Sequence, residues 1–450
     1  MTKTYKYLHF IKYLHFHRWD VKAYAFQHKA FDNAVLLRDI LTPYDIPFAK
    51  NEMLNNKWSI IAKINFSGKL FLRDPEGTKT FKGNVHKVDG ETLIYSKINV
   101  RHGCVYYHPK GAIPFGVSSE YPAYKINQER VNGDFLVLLL QSQYYKDALS
   151  AGTSGISKAR VKPSVFLDLQ IPLPSLEEQN KIVTAYNTTI TQADNLSHQA
   201  GDINDQIETY LKETLGTNIE TIFNKSLLSF VHYKDISRWD PLFLLSSSNI
   251  VSKYSLVRLA DCLKHFLTDQ NRKSLRLETR KTPLKDFRYI GMEYVEKGSG
   301  QIIDSPIVKG KEIKSQTIHV PQGYYIYGKL RPYLNKYWYN NLETDENEII
   351  CSSEFFVFDI KDGINTLYFK YVLASYIVQM QIADAMSGAR MPRISEQTFR
   401  NIQIPLPPLA IQNEIVDHIS ALRAKQKHLQ QQASDLRTQA QQQFVQTIFN

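Results

Sequence analysis

Nowhere in these 450 residues does a purely apolar run exceed six, Phe135 to Leu140. A helix that crosses a bilayer needs about 20, so no transmembrane span is predicted. The first residues mix Lys3, Lys6 and Lys12 with His and Tyr and lack the apolar stretch of a secretory signal. Cysteine is scarce. Cys104, Cys262 and Cys351 are far apart, odd in number, and form no CxxC pair. They read as free thiols of a reducing, cytoplasmic compartment, not as a disulfide frame or a metal site. Familiar catalytic signatures are missing too. The histidines form no HExxH pair, and the Asn-Pro-Pro-aromatic tetrapeptide of amino-methyltransferases does not occur. Gly323 to Lys329 matches the opening of a phosphate-binding loop, but Leu330 stands where Ser or Thr would hold magnesium, and the intervening residues read as strand. Asp304 with Glu312 and Lys314 forms a loose nuclease-like metal pattern that the first half of the chain lacks. A solvated charged turn is the simpler reading of it.

What is present is positive charge, distributed unevenly. Residues 1–170 carry 24 Lys+Arg against 14 Asp+Glu, whereas residues 171–233 carry 3 against 8. Residues 234–403 carry 24 against 19, and residues 404–450 carry 4 against 3. Two basic blocks are thus separated by an acidic segment, as a polyanion partner would favour, although charge alone also fits an ordinary basic protein.

The chain also repeats itself. Ile171-Pro-Leu-Pro-Ser-Leu-Glu-Glu-Gln-Asn-Lys-Ile-Val183 returns 233 positions later as Ile404-Pro-Leu-Pro-Pro-Leu-Ala-Ile-Gln-Asn-Glu-Ile-Val416. The same offset aligns Arg160 with Arg393, Phe166 with Phe399 and Gln170 with Gln403. Further upstream Ile94-Tyr95-Ser96-Lys97 pairs with Ile326-Tyr327-Gly328-Lys329, and Arg18-Trp19-Asp20 with Arg238-Trp239-Asp240. Thr221-Ile-Phe-Asn224 matches the last four residues, Thr447-Ile-Phe-Asn450. Each half therefore has the same plan. A basic, aromatic, strand-rich α/β block spans 1–170 and again 234–403, and a Pro-punctuated lead-in opens a long helical region at 171–233 and at 404–450.

The helices show narrow stripes. Ile415, Ile419, Leu422, Gln426, Leu429, Ala433, Leu436 and Ala440 recur at alternating steps of four and three, a coiled-coil seam with one Gln inside it. Val183, Tyr186, Ile190, Ala193, Leu196, Ala200, Ile203 and Ile207 follow nearly the same rhythm. Such stripes predict a pair of long antiparallel helices between two domains, the alternative being two helices each packed on its own domain. The repeated Thr-Ile-Phe-Asn places the C-terminus near the first domain in a pseudo-twofold circular arrangement. It also predicts a first helix running to Asn224, seven residues longer than its copy. A helix of about 40 residues spans about 60 Å, so two heads so separated would read two short, dissimilar sites with an unread gap.

With this duplication in view, the chain resembles the specificity subunits of type I restriction–modification enzymes. The resemblance rests on the doubled Pro-Leu-Pro-x-Leu-x-x-Gln-x-x-Ile-Val lead-in, on Arg-Met-Pro-Arg-Ile at 390–394, and on Tyr289-Ile-Gly-Met-Glu293 and Tyr327-Gly-Lys-Leu-Arg331. The first copy departs from it, reading Ser-Lys-Ala-Arg-Val at 157–161 without the proline. The resemblance implies a non-catalytic subunit with two target-recognition domains, each reading half of a split double-stranded DNA site. It implies helices that dock two methyltransferase subunits using S-adenosylmethionine, and motor–nuclease subunits using ATP and magnesium for restriction. A DNA-reading adaptor of another phage-defence methyltransferase system, or a nuclease acting through Asp304 and Glu312, remain the alternatives.

Base reading needs side chains that reach the major groove, chiefly Arg, Lys, Asn and Gln. Lys97 and Arg101 in the first block, and Lys329, Arg331 and Lys336 in the second, lie on aromatic strand–loop segments and are the candidate DNA contacts. Lys158 and Arg160, with Arg390 and Arg393, form a second matching pair of basic loops that either grip phosphates or brace the start of the helix.

Overall fold

The computed structural model describes residues 31, 33–151, 160–223, 246–266, 276–277, 281–314, 316–342, 347–385 and 392–449. The chain divides into two compact units: residues up to 195 together with 432–450, and residues 196–431. Each unit combines one strand-rich domain with part of both long helices.

The two domains share a frame. In the first, β1 (Leu41–Pro43), β4 (Thr92–Tyr95), β5 (Val105–His108) and β6 (Ala123–Ile126) form an antiparallel sheet in the order β1-β6-β4-β5. In the second, β7 (Leu263–Phe266), β8 (Tyr325–Gly328), β9 (Tyr337–Tyr339) and β10 (Phe355–Ile360) form a sheet in the equivalent order β7-β10-β8-β9. Both central strands, β4 and β8, are buried along their full length. That explains why they read as unbroken apolar and aromatic runs and not as alternating ones. The segment resembling a phosphate loop is therefore strand, with Tyr325 and Tyr327 fully buried. Across each sheet the same ring pair closes the core: Tyr95 stacks on Phe166 at 4.1 Å, and Tyr327 lies on Phe399 at 5.0 Å. A pair of short helices follows in each domain, Gly133–Leu140 and Gln143–Ala151, then Thr366–Ala374 and Tyr376–Ala385.

The domains diverge beyond the frame. The first adds two small antiparallel pairs, 86–88 with 115–117 and the ribbon β2 (Ile61–Ile64) with β3 (Leu70–Leu72). The second adds a five-stranded mixed sheet in which Phe287–Ile290 run parallel to Glu348–Cys351.

The Pro-Leu-Pro segments form the joint between frame and helix. Gln170–Pro172 pairs with Ala34–Leu36, and Gln403–Pro405 with Leu256–Arg258. The long helices α1 (Leu176–Leu215) and α2 (Leu409–Phe449) then begin. Ser175 caps α1 in a reciprocal box. Its hydroxyl accepts from the Glu178 amide at 3.3 Å, and its own amide donates to the Glu178 carboxylate at 3.0 Å. One turn in, Gln179 and Gln412 are buried. The Asn132 amide donates to Gln179 Oε1 and the Asn365 amide to Gln412 Oε1, both at 2.8 Å. Asn132 and Asn365 each cap the next short helix through their own Oδ1, and each donates Nδ2 to the neighbouring Asn180 or Asn413 at 2.8 Å. Gln179 Nε2 donates to the Arg130 and Pro174 carbonyls, and Gln412 Nε2 to the Pro407 carbonyl.

The helices run antiparallel in both units. In one, Arg437 pairs with Asp194 at 2.8 Å and Phe444 packs on Tyr186. In the other, Tyr210 stacks on His418 at 3.9 Å. There the seam glutamine, Gln426, donates to the Ala200 carbonyl at 2.8 Å while Arg423 bridges Gln426 and Asn204. A polar residue so tied fixes the register of the pair. The C-terminal end of α2 lies against the first domain as the repeat implied, with Phe449 packed on Phe31, Tyr144 and Tyr145.

One expectation fails. The first helix does not reach Asn224. Gly216 takes a left-handed φ of 58°, its amide donates to the Glu213 carbonyl, and the Thr217 amide donates to the Lys212 carbonyl at 2.9 Å. This Schellman turn stops the helix. Asn218–Phe223 then pairs as a strand with Ser246–Val251. The same Thr-Ile-Phe is helix at 447–449 and strand at 221–223. The helices are consequently near equal, 40 and 41 residues.

Gln412→Leu would leave the half-buried Asn365 amide and the buried Pro407 carbonyl without this partner. Urea unfolding of the variant is expected to show a loss of about 1–3 kcal/mol. A midpoint equal to that of the parent chain would contradict the role given to this joint.

Candidate nucleic-acid interface

Lys97 and Lys329 occupy the same position in the two frames, and their backbones do the same work. The Lys97 amide donates to the Glu120 carbonyl at 3.0 Å and its carbonyl accepts from the Val161 amide at 2.8 Å. The Lys329 amide donates to the Glu354 carbonyl at 2.7 Å and its carbonyl accepts from the Ile394 amide at 3.0 Å. Their side chains differ. Lys329 Nζ donates to the Ser353 carbonyl at 2.8 Å and lies over the Phe356 ring. Lys97 lines an open cleft with Tyr44, Tyr121 and Tyr124.

Arg160 and Arg393 belong to this same junction. Arg160 Nε meets Glu120 Oε2 at 3.1 Å, and Arg393 binds both oxygens of Glu354 at 3.0 Å. The Glu354 carboxylate holds the Arg393 guanidinium above its usual range. In both domains the arginine thus ties the loop ahead of the lead-in to an acidic residue of the domain frame. Lys158 and Arg390 lie outside the described residues.

The remaining candidates separate by exposure. Lys336 Nζ donates to the Met292 carbonyl at 2.6 Å and is half-buried. Arg101 sits in the short turn Val100–His102 with its Nε buried and without a hydrogen-bond partner among the described residues. Arg331 is exposed, with φ 48° and ψ 57°, a left-handed conformation uncommon outside Gly, Asn and Asp. Its amide donates to the Pro392 carbonyl at 2.8 Å, so the turn is pinned while the guanidinium has no partner among the described residues. A pinned backbone carrying an unengaged guanidinium suits contact with a base edge or a phosphate.

Sequence reading missed the ribbon β2–β3. Lys57, Lys63, Lys69 and Arg73 fall in a stretch, residues 53–73, that contains no Asp or Glu. That local absence of acid was the available signal. The other chemical candidates resolve into local structure. Asp304 accepts from the Ser305 amide and Glu312 from the Lys309 amide, both exposed at turns. The three cysteines are free and buried, and burial pushes the thiols of Cys104 and Cys262 up to about 11. Among the described residues no group of three metal-ligating side chains gathers, and no helix is long and apolar enough to cross a membrane.

Arg331→Ala is expected to weaken DNA binding by about 1–3 kcal/mol and to relax one base position if it reads a base. Arg393→Ala, which removes a partner of Glu354, is expected to weaken it far less. Equal losses for the two variants in a fluorescence-anisotropy titration would overturn this division.

Comparison with known proteins agrees with the doubled architecture. A model of the type I restriction modification DNA specificity domain matches residues 31–209 and again residues 257–435. The specificity subunit of the type I restriction enzyme EcoDI from Escherichia coli is 21% identical over 322 residues, covering 69% of this chain and 67% of the relative. A chain from a structure describing complex assembly and conformational transition of the type I R-M system superposes with a TM-score of 0.53 at 14% identity, covering 93% of this chain and 97% of that one. The HsdS subunit from Thermoanaerobacter tengcongensis, 15% identical, covers 94% of this chain and 98% of its own with a TM-score of 0.42. With the specificity domain present twice, each copy joined to a long helix through the same buried glutamine, the chain belongs to the type I restriction–modification DNA specificity family.

Proposed function

We propose that each of the two domains reads one half of a split, asymmetric DNA site, and that the chain itself performs no chemistry. The observation that carries this reading is the pattern of likeness between the halves. Frame, joint and helix recur, while the outer sheets differ: two small pairs in one domain and a five-stranded sheet in the other. Elements that hold should be common to both heads, and elements that read two different sequences should not. In a cytoplasmic complex of this kind the helix faces away from the seam dock two methyltransferase subunits, which supply S-adenosylmethionine chemistry on adenine. Motor–nuclease subunits supply ATP- and magnesium-dependent cleavage. The net charge of +11 assists association with the duplex and makes it salt-sensitive.

Mapping methylated adenines in host cells with and without this chain tests the reading. Loss of one bipartite, asymmetric motif is expected. An unchanged methylome would instead favour an adaptor of another methyltransferase system. Inserting one heptad into both long helices is expected to lengthen the unread gap by about 10 Å, roughly three base pairs. A gap of unchanged length would remove the helices as its ruler.

A further inference from the structure

We infer that the β2–β3 ribbon is the element with which the first domain enters the major groove, its outer face carrying Lys63, Lys69 and Phe71 to the bases and phosphates. This rests on the reading that the domain recognises DNA, and it names the segment responsible. A two-stranded antiparallel ribbon is one of the two elements that fit the major groove.

The ribbon has two unlike faces, and a bulge makes them so. Ile61 and Ile64 are buried, whereas Ala62 and Lys63 between them are both exposed. Strict alternation from Ile61 would turn Lys63 inward and Ile64 outward. The register shifts between Ile61 and Lys63, where Lys63 comes opposite Phe71, and this irregularity turns Lys63 to the outer face. Phe71 and Leu72 are exposed on the partner strand. Lys63 and Lys69 both lie over the Phe71 ring, at 5.2 and 5.8 Å. Two ammonium groups therefore gather at one aromatic ring on a solvent-facing surface. Lysines supply donors for guanine edges and phosphates, and an apolar ring can meet the thymine methyl.

The ribbon is also held rigidly. Its inner isoleucines join the core built by Phe48, Met53 and Phe115. At the tip Asn65 Oδ1 accepts from the Ser67 and Lys69 amides, at 3.1 and 2.7 Å. Gly68 turns at φ 80°, where a Cβ would collide with the Gln141 side chain. Phe66, 65% exposed at that tip, lies 5.3 Å from the His102 ring, which places Arg101 in the turn beside it. A preorganised basic face loses little entropy on binding. The absence of any acidic residue from 53 to 73 makes a phosphate-bearing occupant the complementary one.

The test uses the full chain assembled with its methyltransferase subunits, comparing Lys63→Gln with Lys69→Gln as a double variant, Phe71→Ala, and Lys110→Ala. Lys110 is an exposed lysine in the turn after β5 and serves as the charge-loss control. Methylome mapping is expected to show methylation of the motif reduced about tenfold or more, or relaxed bases within one half only. The other half should stay intact and Lys110→Ala should match the parent. Parent-level methylation in the ribbon variants would overturn the proposal, as would equal losses in both halves shared by Lys110→Ala. Failure to assemble would place the ribbon at a protein interface and overturn it too. Thermal melts accompany each variant; should Phe71→Ala unfold, the lysine variant, which removes exposed charge alone, decides the matter. A parent chain that directs no bipartite methylation would refute the functional reading itself, independently of the ribbon.

Discussion

A buried glutamine amide at the first turn of each long helix is the contact on which the rest of the molecule depends. A primary amide has two donors and an acceptor with two lone pairs, and burial makes each unmet one costly. Each Oε1 accepts from the amide of the Asn that caps the next short helix, while Gln179 Nε2 donates to the Arg130 and Pro174 carbonyls and Gln412 Nε2 to the Pro407 carbonyl. One side chain thereby ties three segments: the lead-in strand, the long helix and the domain frame. The prolines keep the lead-in extended and out of the helix. The Arg160–Glu120 and Arg393–Glu354 pairs then clasp the preceding loop to the frame. These pairs are solvent-exposed, so they orient more than they stabilise. The joint is built twice with the same distances because the same residues are placed twice, 233 positions apart.

From this joint follows a division between what holds and what reads. Sheet order, ring stacking and lead-in pairing recur in both halves. Away from the joint the halves part company. The first carries a bulged ribbon with a basic outer face, and the second a mixed sheet whose edge strand opens on exposed Ile307. Fold alone does not give function. What supports it here is a family match over both halves. The seam between the helices is specified separately: Gln426 reaches the Ala200 carbonyl, a bond that a slip of one turn would forfeit.

Much of the frame was legible because burial leaves periodic traces. The four–three stripes of α1 and α2 are buried or half-buried as their spacing predicted. Ser175 stands at the helix start, and the apolar and aromatic runs Thr92–Tyr95 and Tyr325–Gly328 are central strands. The end of α1 was not legible because the repeated Thr-Ile-Phe takes two conformations, and Gly216, just ahead of the first copy, ends the helix in a left-handed turn. Gly216 has no counterpart in the second copy, where Phe449 stands at the same offset and the helix continues. The site was less legible. Lys329, Lys336, Arg160 and Arg393 were singled out by type and repetition, and they turn out to be engaged by carbonyls or carboxylates. Repetition marks shared structure more readily than sequence-specific contact. Lys63 and Lys69 recur nowhere, and their common face depends on a bulge that alternation alone does not announce.

If the chain is one head built twice on interchangeable joints, the identity of each half-site resides in the domain and not in its place along the chain. The most direct measurement is the methylated motif directed by a chimera in which residues 34–170 are replaced by the second domain's 256–403, joint for joint. The account predicts a bipartite motif in which both halves are the sequence now read by the second domain. A folded, assembled chimera that still directs the original asymmetric motif, or none, would contradict it.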